Sequence, residues 1–353
     1  MAVATERDQE ATKQSLAVWL AERTGSSAVV VGDLSIPGLS GFSNETLLFD
    51  ATWDSGNGPA THHLVIRVEP RGHQVFPSTE FDAQVAVLRA LGAEGSVPIP
   101  EVLWFEEDRT ILGDRFLTMR RVDGRVPADN PSYHADGWVT ELSESERTSL
   151  WNSATDSMAA VHRVDRATAG LEWIKPVTPA EQLDLDRAYR AFAAGDDPYP
   201  VVDRAFEVLT ATVPPAVDDP ALCWGDSRLG NLIFADDLSV AAVLDWEMVT
   251  AGDPVQDVAW NLVLDRHHHE AFGVPRLPGL PDRAATVARW EAASGRSAEH
   301  LDWYEMLGAT RYASIMTRVL KLLDASGVFP GAAAGAYDQT GSQLLERLLD
   351  ERS

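Results

Sequence analysis

The sequence predicts an α+β chain of two lobes: a small, mostly antiparallel β-sheet lobe over residues 1–122, opened by a leading helix, and a larger, mainly helical lobe over 123–353. Two observations carry that prediction. Apolar and β-branched runs bounded by turn residues crowd the first third of the chain, whereas beyond Gly124 apolar residues recur at helical spacing. The length, 353 residues with 45% hydrophobic content, is enough to bury a substantial core and favours two lobes over one small module. The boundary falls at Val122 to Gly124, and no long Gly/Ser linker or internal repeat intervenes.

In chain order, Val29 to Ile36 reads as β-rich and leads through Pro37-Gly38-Leu39-Ser40-Gly41-Phe42-Ser43-Asn44-Glu45-Thr46 into a second strand, Leu47 to Trp53. Glycines in that turn permit close backbone approach, and Ser40, Gly41, Ser43 and Asn44 form a set able to offer donors to phosphate oxygens. An ordinary hairpin loop reads the same way, because neither GxGxxG nor a Walker A lysine is present. In the next strand, His62 to Val68, alternation puts Leu64, Ile66 and Val68 on one face and Val65 and Arg67 on the other. A helix follows over Thr79 to Leu91, with Phe81, Val85, Leu88 and Leu91 on its apolar stripe. Val97-Pro98-Ile99-Pro100 stiffens the entry to Glu101–Phe105, and Phe116–Arg120 is the last strand of the lobe.

Further helices are expected at Ser149–Val161, Leu183–Ala194, Val202–Leu209, Asp257–Asp265, Arg283–Ala293, Ala298–Leu323 and Gln339–Arg352. His162 closes the first of these and reads as structural. His267, His268 and His269 are adjacent, so on a helix they point apart; exposure or a helix end fits them better than a metal site. Cys223 is the single cysteine, which excludes an internal disulfide, and its apolar neighbour Leu222 suggests burial.

The formal charge of -25, from 29 basic against 54 acidic residues, argues against nonspecific binding to nucleic acid or anionic membranes. No targeting pattern or apolar segment of membrane-spanning length is evident, and a cytoplasmic location is expected. Oligomeric state is not legible.

The segment Leu222 to Trp260 carries the chemistry. Asp226 lies in the polar turn Gly225-Asp226-Ser227-Arg228-Leu229-Gly230-Asn231, before the short apolar strands Leu232–Phe234 and Val240–Leu244. If these pair as an antiparallel hairpin, Asn231 at the start of one and Asp245 at the end of the other come together although fourteen positions separate them. Two oxygen ligands suit Mg²⁺, a hard cation completed by waters and substrate phosphates. Asp226 is then left to orient an attacking hydroxyl and accept its proton.

At these residues the chain resembles the aminoglycoside phosphotransferase-like kinases, whose core reads His-Gly-Asp, then Asn five residues later, then an Asp ending the following strand. Here the match is Trp224-Gly225-Asp226, Asn231 and Asp245, and Asp226–Asn231 with Leu244-Asp245-Trp246-Glu247 looks most like the branch related to domains fused to acyl-CoA dehydrogenases. The resemblance spans roughly Val31 to Val319. It implies a two-lobed protein-kinase-like fold, with ATP and Mg²⁺ as cofactors, Asp226 as base and Asn231 and Asp245 as metal ligands. Gly252-Asp253-Pro254 and Asp257 would be a supporting segment. It also implies that Arg67 stands at the phosphate-binding lysine position, and that Leu117, Met119 and Arg120 belong to the edge beside the adenine. Gln84 falls where an acidic partner for the cation is usual, with Glu80 as the alternative. Trp224 replaces histidine and implies altered support around the base.

The implied function is an ATP-dependent phosphotransferase acting on a hydroxyl of a small-molecule acceptor. The competing reading is a noncatalytic nucleotide or metabolite-binding protein on the same fold. Trp151, Trp173, Tyr189, Tyr199, Trp303 and Tyr304 are candidates for acceptor contact or for core.

Overall fold

The computed structural model describes residues 7–36, 45–54, 56, 58–70, 75–78 and 80–352. The chain has a two-lobed α+β architecture, with an N-terminal antiparallel sheet lobe and a larger helical lobe. One compact unit comprises Met1–Gly92 with Pro100–Val122, and the other Ala93–Ile99 with Asp123–Ser353.

The first unit opens with α1 (Gln9–Thr24), started by Asp8, whose side chain accepts the Ala11 N–H. Then come β1 (Val29–Val31), β2 (Glu45–Asp54), β3 (Pro59–Val68), α2 (Phe81–Glu94), β4 (Val102–Glu106), α3 (Arg109–Leu112) and β5 (Phe116–Arg120). The five strands form one antiparallel sheet in the order β1-β2-β3-β5-β4. The first strand is shorter than the sequence suggests, because Gly32-Asp33 breaks the apolar run and Ser35 rejoins only as a single bridge to Leu48. The alternation in β3 holds: Leu64, Ile66 and Val68 are buried in the cluster that Leu16, Trp19 and Leu20 of α1 join. Phe116, fully buried there, meets Trp19 edge-on at 4.9 Å, and burying such a ring contributes about 1.5–3 kcal/mol.

The second unit contains α4 (Trp138–Glu141), α5 (Glu144–Arg163), α6 (Pro179–Ala194), α7 (Pro200–Ala211), β6 (Ala221–Cys223), β7 (Leu232–Phe234), β8 (Val240–Val243) and β9 (Thr250–Gly252). It ends with α8 (Val255–Glu270), α9 (Arg283–Ser294), α10 (Leu301–Ala325) and α11 (Thr340–Glu351). Complete capping boxes start α5 at Ser143/Glu146 and α6 at Thr178/Glu181. The core joins Val255, Val258, Ala259 and Val263 of α8 to Trp290 of α9, Tyr304 and Leu307 of α10 and Leu345 of α11. Most of α8 is buried, its polar Asp257, Asn261, Asp265, His267 and His268 included. Such a helix has no solvent face from which to read its ends, which is why the sequence yields only its middle. Two short antiparallel pairs, β6 with β9 and β7 with β8, lie on this framework.

Candidate active site

The hairpin predicted from the apolar runs is present. Leu232 stands opposite Val243, and the Leu244 N–H donates to the Asn231 carbonyl at 2.9 Å, so Asn231 and the entry to Asp245 are neighbours across the ladder. Asp245 has a φ of 60°, a left-handed conformation that costs a non-glycine residue energy and is met mostly in turns and functional segments.

The turn that carries Asp226 is anchored by Asp257 at the start of α8. Its carboxylate accepts the backbone N–H of Trp224 at 2.6 Å and of Gly225 at 2.9 Å, while its carbonyl accepts the Ser227 hydroxyl at 2.7 Å. His162 completes this anchor. The Trp290 indole N–H donates to Nδ1 of His162 at 2.8 Å, so the ring proton sits on Nε2, which donates to Asp257 at 2.9 Å. His162 is therefore structural in a definite sense: it holds the residue that holds the turn. Gly225 has φ 92°, and a Cβ there would collide with the Met248 carbonyl, so no other residue fits this crossing unstrained. Trp224 is fully buried and its indole N–H donates to the Leu244 carbonyl at 2.7 Å, tying the Asp226 turn to the residue before Asp245.

The Asp226 side chain is 13% exposed and receives three donors. Trp260 Nε1–H reaches Oδ1 at 2.7 Å, Asn231 Nδ2 reaches Oδ2 at 2.6 Å, and Arg228 Nε is shared between them at 3.2 and 3.0 Å. Arg228 also pairs through Nη1 with Asp129, whose other oxygen lies 3.2 Å from His268 Nε2. Burial works against the Arg228 charge, but Asp226 and Asp129 outweigh it and hold the guanidinium above its ordinary pKa. Burial likewise opposes ionisation of Asp129; Arg228 and His268 prevail and keep its carboxyl below the carboxylate range. A Cβ on Gly230 would press on this pair, lying 2.7 Å from Asp129 Oδ1, so the glycine leaves room for it.

Neither Trp260 nor Asp129 is singled out by the sequence. A signal for Trp260 exists, since it follows Asp257 by three positions and so shares its helix face. Asp129 carries none, being 97 residues from Asp226 with no motif around it.

Asn231 fits a hard cation. Its Nδ2 is committed to the carbonyl and carboxylate of Asp226, which leaves the amide oxygen as its acceptor end. Asp245 follows Leu244, whose N–H donates to the Asn231 carbonyl, so its backbone adjoins Asn231 along the hairpin. Among the described residues no group of three or more His, Cys, Asp or Glu side chains could hold a metal ion; a hard cation bound by few protein ligands is completed by waters and phosphates.

Ser40, Gly41, Ser43 and Asn44 lie outside the described residues. In the first unit, Arg67 pairs with Leu117 and Val65 with Met119 across β3 and β5, which gathers these four on one face of the sheet. Leu117 and Met119 are buried there and Arg67 is half-buried. Arg120 falls on the opposite face; its guanidinium pairs with Glu101 at 2.5 Å and its N–H donates to the Glu101 carbonyl. Gln84 is buried on α2, whereas Glu80 precedes the helix, with φ 41° and its carboxylate on Ser78 at 2.5 Å.

The three histidines do lie at a helix end, but His267 and His268 are buried, against the expected exposure, because the end of α8 is itself enclosed. Cys223 is fully buried and unpaired, as expected. Trp151, Tyr199, Trp303 and Tyr304 are core; Trp173 is exposed and Tyr189 half-buried. The grooves lined by Arg187, Phe206 and Thr210 and by Arg283, Trp303 and Arg352 include none of Asp226, Asn231 or Asp245. They are open surfaces crossed by ion pairs, Arg190–Asp203 in the first and Arg283–Asp302 in the second. No helix among the described residues is long and apolar enough to cross a membrane.

A sequence profile of the phosphotransferase enzyme family matches residues 36–300. The probable acyl-CoA dehydrogenase IBR3 of Arabidopsis thaliana is 26% identical over 329 residues, covering 88% of this chain but 39% of that protein. The chain thus spans less than half the length of that relative. A crystal structure of a "putative aminoglycoside phosphotransferase" from Ralstonia eutropha superposes with a TM-score of 0.69 at 23% identity, covering 95% of this chain and 98% of that one. The ternary complex of a thermostable mutant of aminoglycoside phosphotransferase APH(4)-Ia with ADP and hygromycin B gives 0.58 at 18%, covering 94% and 98%. At these identities the two structures show the fold.

Proposed function

Because the chain belongs to the phosphotransferase enzyme family, whose profile matches residues 36–300, we propose that it transfers the γ-phosphoryl group of ATP to a hydroxyl of a small molecule. The observation that carries this reading is the bond from the Asn231 amide to the Asp226 carboxylate, made beside the strand that leads into Asp245. It supports a reading in which Asp226 acts as a base and Asn231 and Asp245, neighbours along the hairpin, are suited to a cation.

In this reading Asp226 aligns the acceptor hydroxyl and takes its proton as the new O–P bond forms and the bond to the β-phosphate oxygen breaks. Asn231 and Asp245 hold Mg²⁺, which when bound supplies charge neutralisation at the phosphates. Arg67 binds nonreacting phosphate oxygens with its guanidinium fork. Gln84 steadies it, and Ser40, Gly41, Ser43 and Asn44 offer donors to the same groups. Leu117 and Met119 furnish an apolar wall for the base, with backbone contacts through Arg120. ADP in the APH(4)-Ia complex supports a nucleotide donor.

The acceptor is to be sought with hydroxylated metabolites, aminoglycosides and hydroxyacyl-CoAs, the last two prompted by the names of the relatives. Transfer that requires Mg²⁺ and falls by about 10²–10⁴-fold in Asp226→Asn, with MgATP affinity retained, is the expected result. A folded protein that does not bind MgATP would sink the proposal. The ion pair of Arg228 with Asp226 favours a second reading, a nucleotide-binding protein without turnover; MgATP binding with neither transfer nor hydrolysis would select it.

A further inference from the structure

A carboxylate offers about four lone-pair directions, and the contacts of Asp226 occupy all of them unequally. The Trp260 and Asn231 bonds, 2.7 and 2.6 Å, are short and fall on different oxygens, which fixes the rotation of the group. The Arg228 contact is longer and divided, at 3.2 and 3.0 Å. It is the one an incoming hydroxyl displaces at least cost. Arg228 can yield because its Nη1 stays paired with Asp129, so the cation is not left without a counter-charge.

We propose, resting on the reading of Asp226 as the base, that Trp260 and Asp129 are positioning residues: Trp260 locks the Asp226 carboxylate directly, and Asp129 retains Arg228 when the acceptor takes its place. Trp260 suits this work. It is 3% exposed, its indole has a single N–H and no acceptor to compete, and α8 fixes its ring, which Tyr312 meets edge-on at 6.1 Å and the Arg311 guanidinium covers at 5.9 Å. Asp129 is suited differently. It keeps 39% of its side chain exposed, so Arg228, already paired with it, can swing off Asp226 while that pair stays beside water.

The test uses the full chain with ¹⁵N-labelled tryptophan. The indole N–H signal absent from Trp260→Phe, a variant that keeps a ring against Tyr312 and Arg311, should shift clearly in Asp226→Asn. MgATP hydrolysis with water as acceptor should lose up to about 10²-fold in kcat in Trp260→Phe, and about tenfold in Asp129→Asn, with KM for MgATP within about twofold of the parent. A merely structural role would lower the thermal midpoint and leave that split absent. An indole signal unmoved by Asp226→Asn overturns the proposal, as does an unchanged kcat in both variants. Should the parent protein show neither transfer to any acceptor nor hydrolysis of MgATP, the phosphotransferase reading fails on its own, and the indole signal alone decides whether Trp260 locks Asp226.

Discussion

Trp224 and Leu244 are joined by an indole N–H to carbonyl bond of 2.7 Å, which binds the turn bearing Asp226 to the strand end bearing Asp245. Trp224 is therefore a working support of the site.

Trp224→Phe keeps most of the buried ring but strands the Leu244 carbonyl. It should cost about 1–3 kcal/mol in urea unfolding and weaken Mg²⁺-dependent nucleotide binding, whereas Trp224→His, which retains a donor, should lose less nucleotide affinity. Equal unfolding midpoints for parent and Phe variant would remove this bond from the account.

Asp257 accepts from Trp224, Gly225 and His162 with two oxygens. An asparagine has one oxygen to offer and turns an NH₂ toward donors already present. Asp257→Asn should destabilise the protein by more than about 3 kcal/mol and release the Gly225 amide to hydrogen exchange. Unchanged protection at that amide would contradict the anchor.

Burial first, and then the neighbouring charges of His268 and Arg347, push His267 from 6.5 down to about 3. In that window the unfolded chain binds a proton and the folded one does not, so stability is fully present above pH 6.5 and is lost as pH falls toward 3. One such proton gives a slope of at most about 1.4 kcal/mol per pH unit. His267→Phe, which keeps a ring against Tyr312, should flatten thermal unfolding midpoints between about pH 6.5 and pH 4. Parallel curves for the two proteins would refute the assignment.

The polar turn around Asp226 and the hairpin after it were legible because apolar runs of three to five residues flank a stretch of glycine and polar residues, although the fold buries Ser227, Leu229 and Asn231 within it. Arg67 was legible through strand alternation, and its face is the one shared with Leu117 and Met119. Trp260 was not, because an aromatic residue in an apolar helix looks identical whether it fills space or donates a hydrogen bond. Asp129 reaches Arg228 only through the fold. The β6–β9 pair escaped because Thr250-Ala251-Gly252 forms no apolar run from which a strand could be read. The burial of His267 and His268 escaped because it depends on how the end of α8 is enclosed, which no local pattern records.

The partnership of Asn231 and Asp245 is set by ladder register, while the connecting turn closes on itself through the Ala235 N–H and the Ser239 carbonyl at 2.9 Å. Insertions or deletions within 235–239 would therefore be absorbed locally, changing the count of residues between the two without parting them. One residue added inside Val240–Val243 would instead turn the strand over and carry Asp245 to the wrong side. A pattern meant to find this chemistry in distant chains should hold the strands rigid and let the gap between them float.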